Sequence, residues 1–159
     1  MILGLSTLGF IHTALSLLAL ASGLVVVMGL VGGRPLNGWT AVYFASAVAT
    51  NATGFTFPGD FGIPHYLGLG AALALMVAIP ARYIFRLAGA WRPIYAVATV
   101  VSVHVLVFFT IGEAFLRIPS LNALAPTLTE TPFAVTQLAG MLLFVALAVA
   151  AATAARRPG

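Results

Sequence analysis

Cysteine is absent from this 159-residue chain, lysine is absent too, and the acidic residues are only Asp60, Glu113 and Glu130. The first absence excludes disulfides, thiolate zinc sites, cysteinyl iron–sulfur ligation and a cysteine nucleophile. The shortage of charge, 6% of residues, excludes an ordinary water-soluble domain, whose surface needs roughly a quarter of its sequence as charged residues. The P-loop, GxGxxG, HExxH and GxSxG patterns are missing as well, so no catalytic residue is assigned.

What remains is apolar. Hydrophobic residues make up 62% of the chain and the mean hydropathy is +1.12, so the bilayer is the main solvent and the first partner. The net charge of +4 does not imply nucleic acid, because the seven arginines sit singly or in pairs beside apolar runs rather than on one basic face.

Five apolar segments reach or approach the ~20 residues that cross a hydrocarbon core. They predict an all-α polytopic membrane helix bundle, one domain over 1–159, with five transmembrane helices at about 4–31, 37–57, 65–85, 93–116 and 133–155. Each connection, "GGRPLN", "PGDFGIP", "RLAGAWR" and "RIPSLNALAPTLTETP", carries the Gly or Pro that stops or starts a helix. The N-terminal run has no Lys or Arg before Arg34 and is about twice the length of a signal-peptide core, so it reads as a retained membrane helix.

Orientation follows from arginine. With five spans, one side holds Arg34, Arg82, Arg86, Arg92, Arg156 and Arg157 and the other holds only Arg117; short cytoplasmic loops retain positive charge. The N-terminus is therefore expected outside and the C-terminus in the cytoplasm.

Gly29 and Gly33 form a GxxxG pair whose plain reading is a turn at the end of the first helix. Pro80 is expected to kink or end the third helix. The Asn51-Ala52-Thr53 sequon lies inside or at the edge of a span, and glycosylation is not expected there.

At ~1.5 Å per residue, His12 lies roughly 12 Å inside the outer surface, and Asn51 and Thr53 within about 10 Å of it. Asp60, His65, Glu113, Glu130 and Gln137 fall at the same end. Polar groups within a span are costly and typically face a bundle interior or a wet cavity. These eight residues are the candidates for an outward-facing polar pocket, roofed by "PGDFGIP" and the loop from Arg117 to Pro132. The alternative is that they satisfy one another between helices or meet water at the headgroups.

Several chemistries share that space. A b-type haem would take axial imidazoles from facing helices, and His12 with His104 is the available pair. A quinone would use polar groups for its carbonyls and Phe55, Phe57, Phe108, Phe109, Phe115 and Phe133 as walls. Asp60, His65, Glu113 and Glu130 have metal-ligand chemistry without ligand spacing. Glu113 and His104 have proton-relay chemistry suited to a small oligomeric transporter, or to a subunit of a larger membrane complex. The leading expectation is a small-ligand-binding or accessory subunit; a haem or quinone redox protein is the alternative.

The combination "TGFTFP", "PHYLGLGA", "ARYIFRLAGAWRPIY", "EAFLRIPSLNALAPTLTETPF" and "VTQL" resembles a family of small, uncharacterised multi-pass inner-membrane proteins of bacteria. The resemblance covers about His12 to Phe144. It implies architecture and bacterial inner-membrane placement and brings no established activity. Two positions depart from that family's pattern: His104-Val105-Leu106 stands where it tends to read Tyr-Leu-Asn, and Glu113 where it has Gln. The first departure weighs against a haem that requires His104.

Overall fold

A computed structural model describes residues 6–57 and 61–157. The elements are α1 (Thr7–Val31), α2 (Asn37–Gly54), α3 (Ile63–Tyr83), α4 (Trp91–Arg117), the single turn α5 (Pro119–Asn122) and α6 (Thr131–Arg156). No strand occurs among the described residues. Local chemistry sets most of these limits. The Ser6 hydroxyl accepts the Gly9 N–H at 3.1 Å to start α1. Pro64 and Pro132 sit in the first turns of α3 and α6, where a missing N–H costs nothing.

At the end of α1 the Arg34 N–H reaches the Gly29 carbonyl at 2.8 Å and the Gly33 N–H reaches Leu30 at 3.1 Å, with Gly33 at φ +67°. That is the crossed pair of bonds that closes a helix around a left-handed glycine. The two glycines of the GxxxG pair thus serve local geometry in different ways. Gly33 makes the turn, and Gly29 leaves room for Leu36, which a Cβ would meet at 2.6 Å. Pro80 does not end α3, which continues to Tyr83. The N–H groups of Ile84 and Phe85 then both converge on the Pro80 carbonyl at 2.9 Å. The chain turns away through Arg86 and Leu87, both at positive φ.

Four helices, α1, α3, α4 and α6, are long and apolar enough to cross a membrane. The five-span expectation meets its exception in α2, which has 18 residues, ends at Gly54 rather than near Phe57, and falls short in hydropathy. The connection between α4 and α6 contains the single turn α5.

Successive long helices run antiparallel, as their facing pairs show. His12 meets Thr53 and Gly23 meets Tyr43 across α1 and α2; Phe44 meets Tyr83 across α2 and α3; His104 meets Phe144 and Phe115 meets Phe133 across α4 and α6. α4 is central, packing on α1, α3 and α6. One end of the bundle therefore gathers the termini that carry six arginines, and the other gathers His12, Thr53, His65, Glu113 and Glu130.

The interior is an apolar core that includes Val26, Val27, Phe44, Val100 and Val103, with Ser22, Thr40, Ser46, Thr50, Thr99, Ser102 and Gln137 buried among it, yet Leu17, Met28, Leu73, Met76, Leu142 and Val149 are exposed. An apolar surface this extensive fits lipid, not water. At the centre, the fully buried Tyr43 hydroxyl lies 2.6 Å from Ser102 Oγ, which donates to the Thr99 carbonyl at 2.9 Å. With the serine proton so committed, Tyr43 donates to Ser102. Gly23 makes this possible: a Cβ there would lie 2.9 Å from both the Tyr43 ring and Val103.

At the arginine-rich end, Arg82 donates to Asn37 Oδ1 at 2.6 Å and to the Tyr95 hydroxyl at 3.4 Å, and its guanidinium lies 5.4 Å from the Tyr95 ring centre. One side chain thereby ties α2, α3 and α4 together. Phe85 stacks on Trp91 at 3.9 Å beside it, closing the loop between α3 and α4.

Candidate functional site

The arginine-poor end divides the eight candidate residues into groups with different fates. His12 and Thr53 form the core of one group. His12 Nδ1 lies 2.9 Å from Thr53 Oγ1, across α1 and α2. The threonine hydroxyl also lies 2.8 Å from the Ala49 carbonyl and 3.0 Å from the Thr50 carbonyl, and both can only accept. Its single proton therefore points back along α2, and its oxygen accepts from His12 Nδ1–H. The hydrogen-bond network therefore puts a proton on His12 Nδ1, and in the neutral ring Nε2 keeps a lone pair.

The rest of the setting holds that ring in place. Phe57 meets it edge-on at 5.1 Å, and Gly54 supplies a surface without a side chain, where a Cβ would lie 3.4 Å from His12 Cε1. The Glu113 carboxylate is near enough to act on the imidazole electrostatically, although it also pairs with Arg117 one turn along α4. The Ser16 hydroxyl donates to the His12 carbonyl at 2.8 Å, so its own proton is spent within α1.

Deeper in the same end lie buried polar atoms without partners. Gln137 is 8% exposed; its Nε2 donates to the Phe108 carbonyl at 3.0 Å, and its Oε1 has no hydrogen bond among the described residues. Since the Phe108 carbonyl can only accept, this also fixes which end of the amide is oxygen. Thr50 is 8% exposed and its Oγ1 is likewise unpartnered. The Tyr43–Ser102 contact sets α2 and α4 in parallel register, which brings Thr50 level with Phe109 and hence with Gln137. These atoms lie about 5–8 Å below the His12 level at ~1.5 Å per residue. Thr50 is not among the sequence candidates; its spacing of three from Thr53 was the available signal.

The other candidates are used locally. Asn51 faces α3, with its Oδ1 against Gly68. His65 accepts the Gly62 N–H on Nδ1 at 3.2 Å and stacks on Phe61 at 4.7 Å, which makes it the start of α3. Glu130 precedes α6 and accepts from the Thr127 N–H at 3.2 Å, the Thr127 hydroxyl at 2.8 Å and the Thr129 N–H at 3.1 Å. It holds a tight turn that carries Leu128 at φ +60°. Asp60 lies outside the described residues.

Glu130 gives a pH prediction. Partial desolvation pushes its carboxyl up, but the Thr127 hydroxyl and the backbone N–H groups of Glu130, Thr127 and Thr129 outweigh this and hold it below its ordinary 4.5. A folded-state value below the unfolded one gives stability that is complete above the unfolded value and is lost as pH falls through the folded one. The melting temperature of the wild type is therefore expected to drop below about pH 4.5, and Glu130→Gln to melt lower at pH 7 with a flatter acid limb. Equal acid limbs in the two proteins would contradict this role.

His104 stands apart from His12. Its ring packs 5.1 Å from Phe144 of α6 and its Nδ1 is buried without a partner among the described residues. His12 is level with Glu113, so His104 is about 13 Å deeper at ~1.5 Å per residue. The structure does not bring these two imidazoles to one level. Among the described residues no group of three or more His, Asp and Glu side chains is placed to hold a metal ion.

Compared with protein-family models, curated proteins and solved structures, the chain matches none.

Proposed function

We propose that the chain is a five-span protein of the bacterial inner membrane that binds a small, hydrogen-bond-donating ligand in a polar site open to the outside. The observation that carries this reading is the set of uncommitted acceptors at the arginine-poor end: His12 Nε2, left free by the Thr53 bond, and the buried, unpartnered Gln137 Oε1. An unpartnered buried polar atom costs about 1–3 kcal/mol, which a bound donor would recover. Glu113 at the same end is neutralised by Arg117, so the acceptors alone favour a donor-rich molecule.

Five spans are supported by the way α2 distributes its polarity. Thr40, Tyr43, Ser46 and Thr50, which lower its hydropathy, are buried inside the bundle, whereas Trp39, Val42 and Val48 face outward. At 18 residues it is about 27 Å long, close to the ~30 Å hydrocarbon core. With α2 counted as a span, six arginines at one end against Arg117 at the other favour a reading with the N-terminus outside. The resemblance of its motif combination, as read from the sequence, to small bacterial inner-membrane proteins favours the same placement.

The test is the small-molecule content of the full chain purified in mild detergent, read by mass spectrometry beside a His12→Ala/Gln137→Leu variant. A species that co-purifies with the wild type and is depleted at least tenfold in the variant is expected. Identical contents would remove the proposal, and a Soret absorption band in the same preparation would replace it with the haem alternative.

A further inference from the structure

The opposite end of the bundle carries a second feature, independent of the polar site. An open, shallow groove of about 660 Å³ runs along the outer face of α3, α4 and α6, and a second open depression of about 560 Å³ adjoins it at the arginine-rich end, sharing Ala90, Pro93 and Arg156. Sequence explains the long part. Leu73 and Val77 on α3 and Ile94, Val97 and Val101 on α4 recur at helical spacing, so each helix turns an apolar stripe to the groove. α6 contributes only Ala152 before Arg156, because its last two turns are nearly all alanine and leave the space open.

The short part has the opposite chemistry. Arg92, Arg156 and Arg157 line it, all three exposed. The one ion pair among the described residues is Arg117 with Glu113, at the other end of the bundle. Arg82, by contrast, is already held by Asn37 and Tyr95. Three cations without acidic partners at the mouth of an apolar groove call for a ligand that is anionic at one end and aliphatic along the rest. Between membrane helices, a basic pocket at the headgroup level with apolar walls matches an anionic lipid.

We propose that this groove binds an anionic phospholipid, with its phosphate among Arg92, Arg156 and Arg157 and one acyl chain along the α3–α4 stripe beneath Ala152. From Ala90 to Val101 the groove follows α4 for about 16 Å at ~1.5 Å per residue, enough for most of an acyl chain within one leaflet of a ~30 Å core. The alanines of α6 keep the groove open, since a larger side chain there would close it. Arg34 and Arg86 lie at the same end without lining the groove.

The experiment follows thermal unfolding of the full chain in lipid-free detergent while dioleoyl-phosphatidylglycerol, dioleoyl-phosphatidylcholine or inorganic phosphate is added. A bound ligand raises the melting temperature by mass action, and phosphatidylglycerol at saturation is expected to raise it by about 5 °C, with phosphatidylcholine and phosphate giving no shift. Arg92→Gln/Arg156→Gln/Arg157→Gln should lose most of the shift. Ala152→Phe, which keeps every arginine, should lose it too, and Arg34→Gln/Arg86→Gln should keep it. The proposal is overturned if phosphatidylcholine or phosphate matches phosphatidylglycerol. It is equally overturned if Ala152→Phe retains the shift, or if the Arg34/Arg86 variant loses as much as the groove variant.

Discussion

Replacing Gly23 with valine is expected to destabilise the protein by about 3 kcal/mol or to abolish folding, at the upper end of what overpacking costs. The glycine lies where α1, α2 and α4 meet, and even a Cβ would stand 2.9 Å from the Tyr43 ring and from Val103. Neither neighbour has room to retreat: Tyr43 and Val103 are fully buried, and the tyrosine is pinned by its bond to Ser102. Gly23→Ala should show the same effect at a smaller size, about 1–2 kcal/mol. Gly38, beside which a Cβ meets open space, is the control. Thermal melting in detergent checks the series, and a Gly23→Ala protein as stable as the wild type would mean that α1 and α2 pack less closely than described.

Gln137→Leu is expected to move stability and function in opposite directions. Leucine fills a similar volume, removes the unpartnered Oε1, and leaves the Phe108 carbonyl with its helical bond inside α4. Removing an unsatisfied buried group without creating another is neutral or stabilising, here by about 1 kcal/mol. Ligand recovery should fall at least tenfold in the same protein. A gain in stability with lost function is the mark of a group retained for a site. If Gln137→Leu melts lower instead, the amide serves to join α6 to α4.

The bundle is legible in the sequence because hydropathy acts over whole segments. The bounds of α1 and α6 differ from expectation by a few residues, and the arginine bias needs only a count of loops. α2 is harder to read. Its buried Thr40, Tyr43, Ser46 and Thr50 lower its hydropathy, and no window average separates a polar residue facing a neighbouring helix from one facing water.

The site is legible in depth but not in pairing. Helix rise alone places His12 and Thr53 near one level, yet their contact depends on the facing angle of two helices, which the sequence does not specify. His65 and Glu130 carry the same polar signal as His12. Their polarity is spent on Gly62 and on the Thr127–Thr129 turn, and that turn needs a left-handed Leu128 that no composition rule anticipates. Thr50 is hard to find for the opposite reason. Intramembrane threonines ordinarily bond back to their own helix, as Thr53, Thr110 and Thr136 do, and Thr50 does not.

The central claim, a wet polar site at the arginine-poor end that opens to the outside, is tested most directly by thiol labelling at Gly54. The native chain has no cysteine to interfere, and a side chain at Gly54 stands beside the His12 ring. In intact cells Gly54→Cys should react with a charged, membrane-impermeant methanethiosulfonate, while Arg86→Cys should react only after the cells are broken. Reaction of Arg86→Cys in intact cells would reverse the orientation, and a Gly54→Cys thiol that stays unlabelled from both sides would mean that the space around His12 is closed and dry.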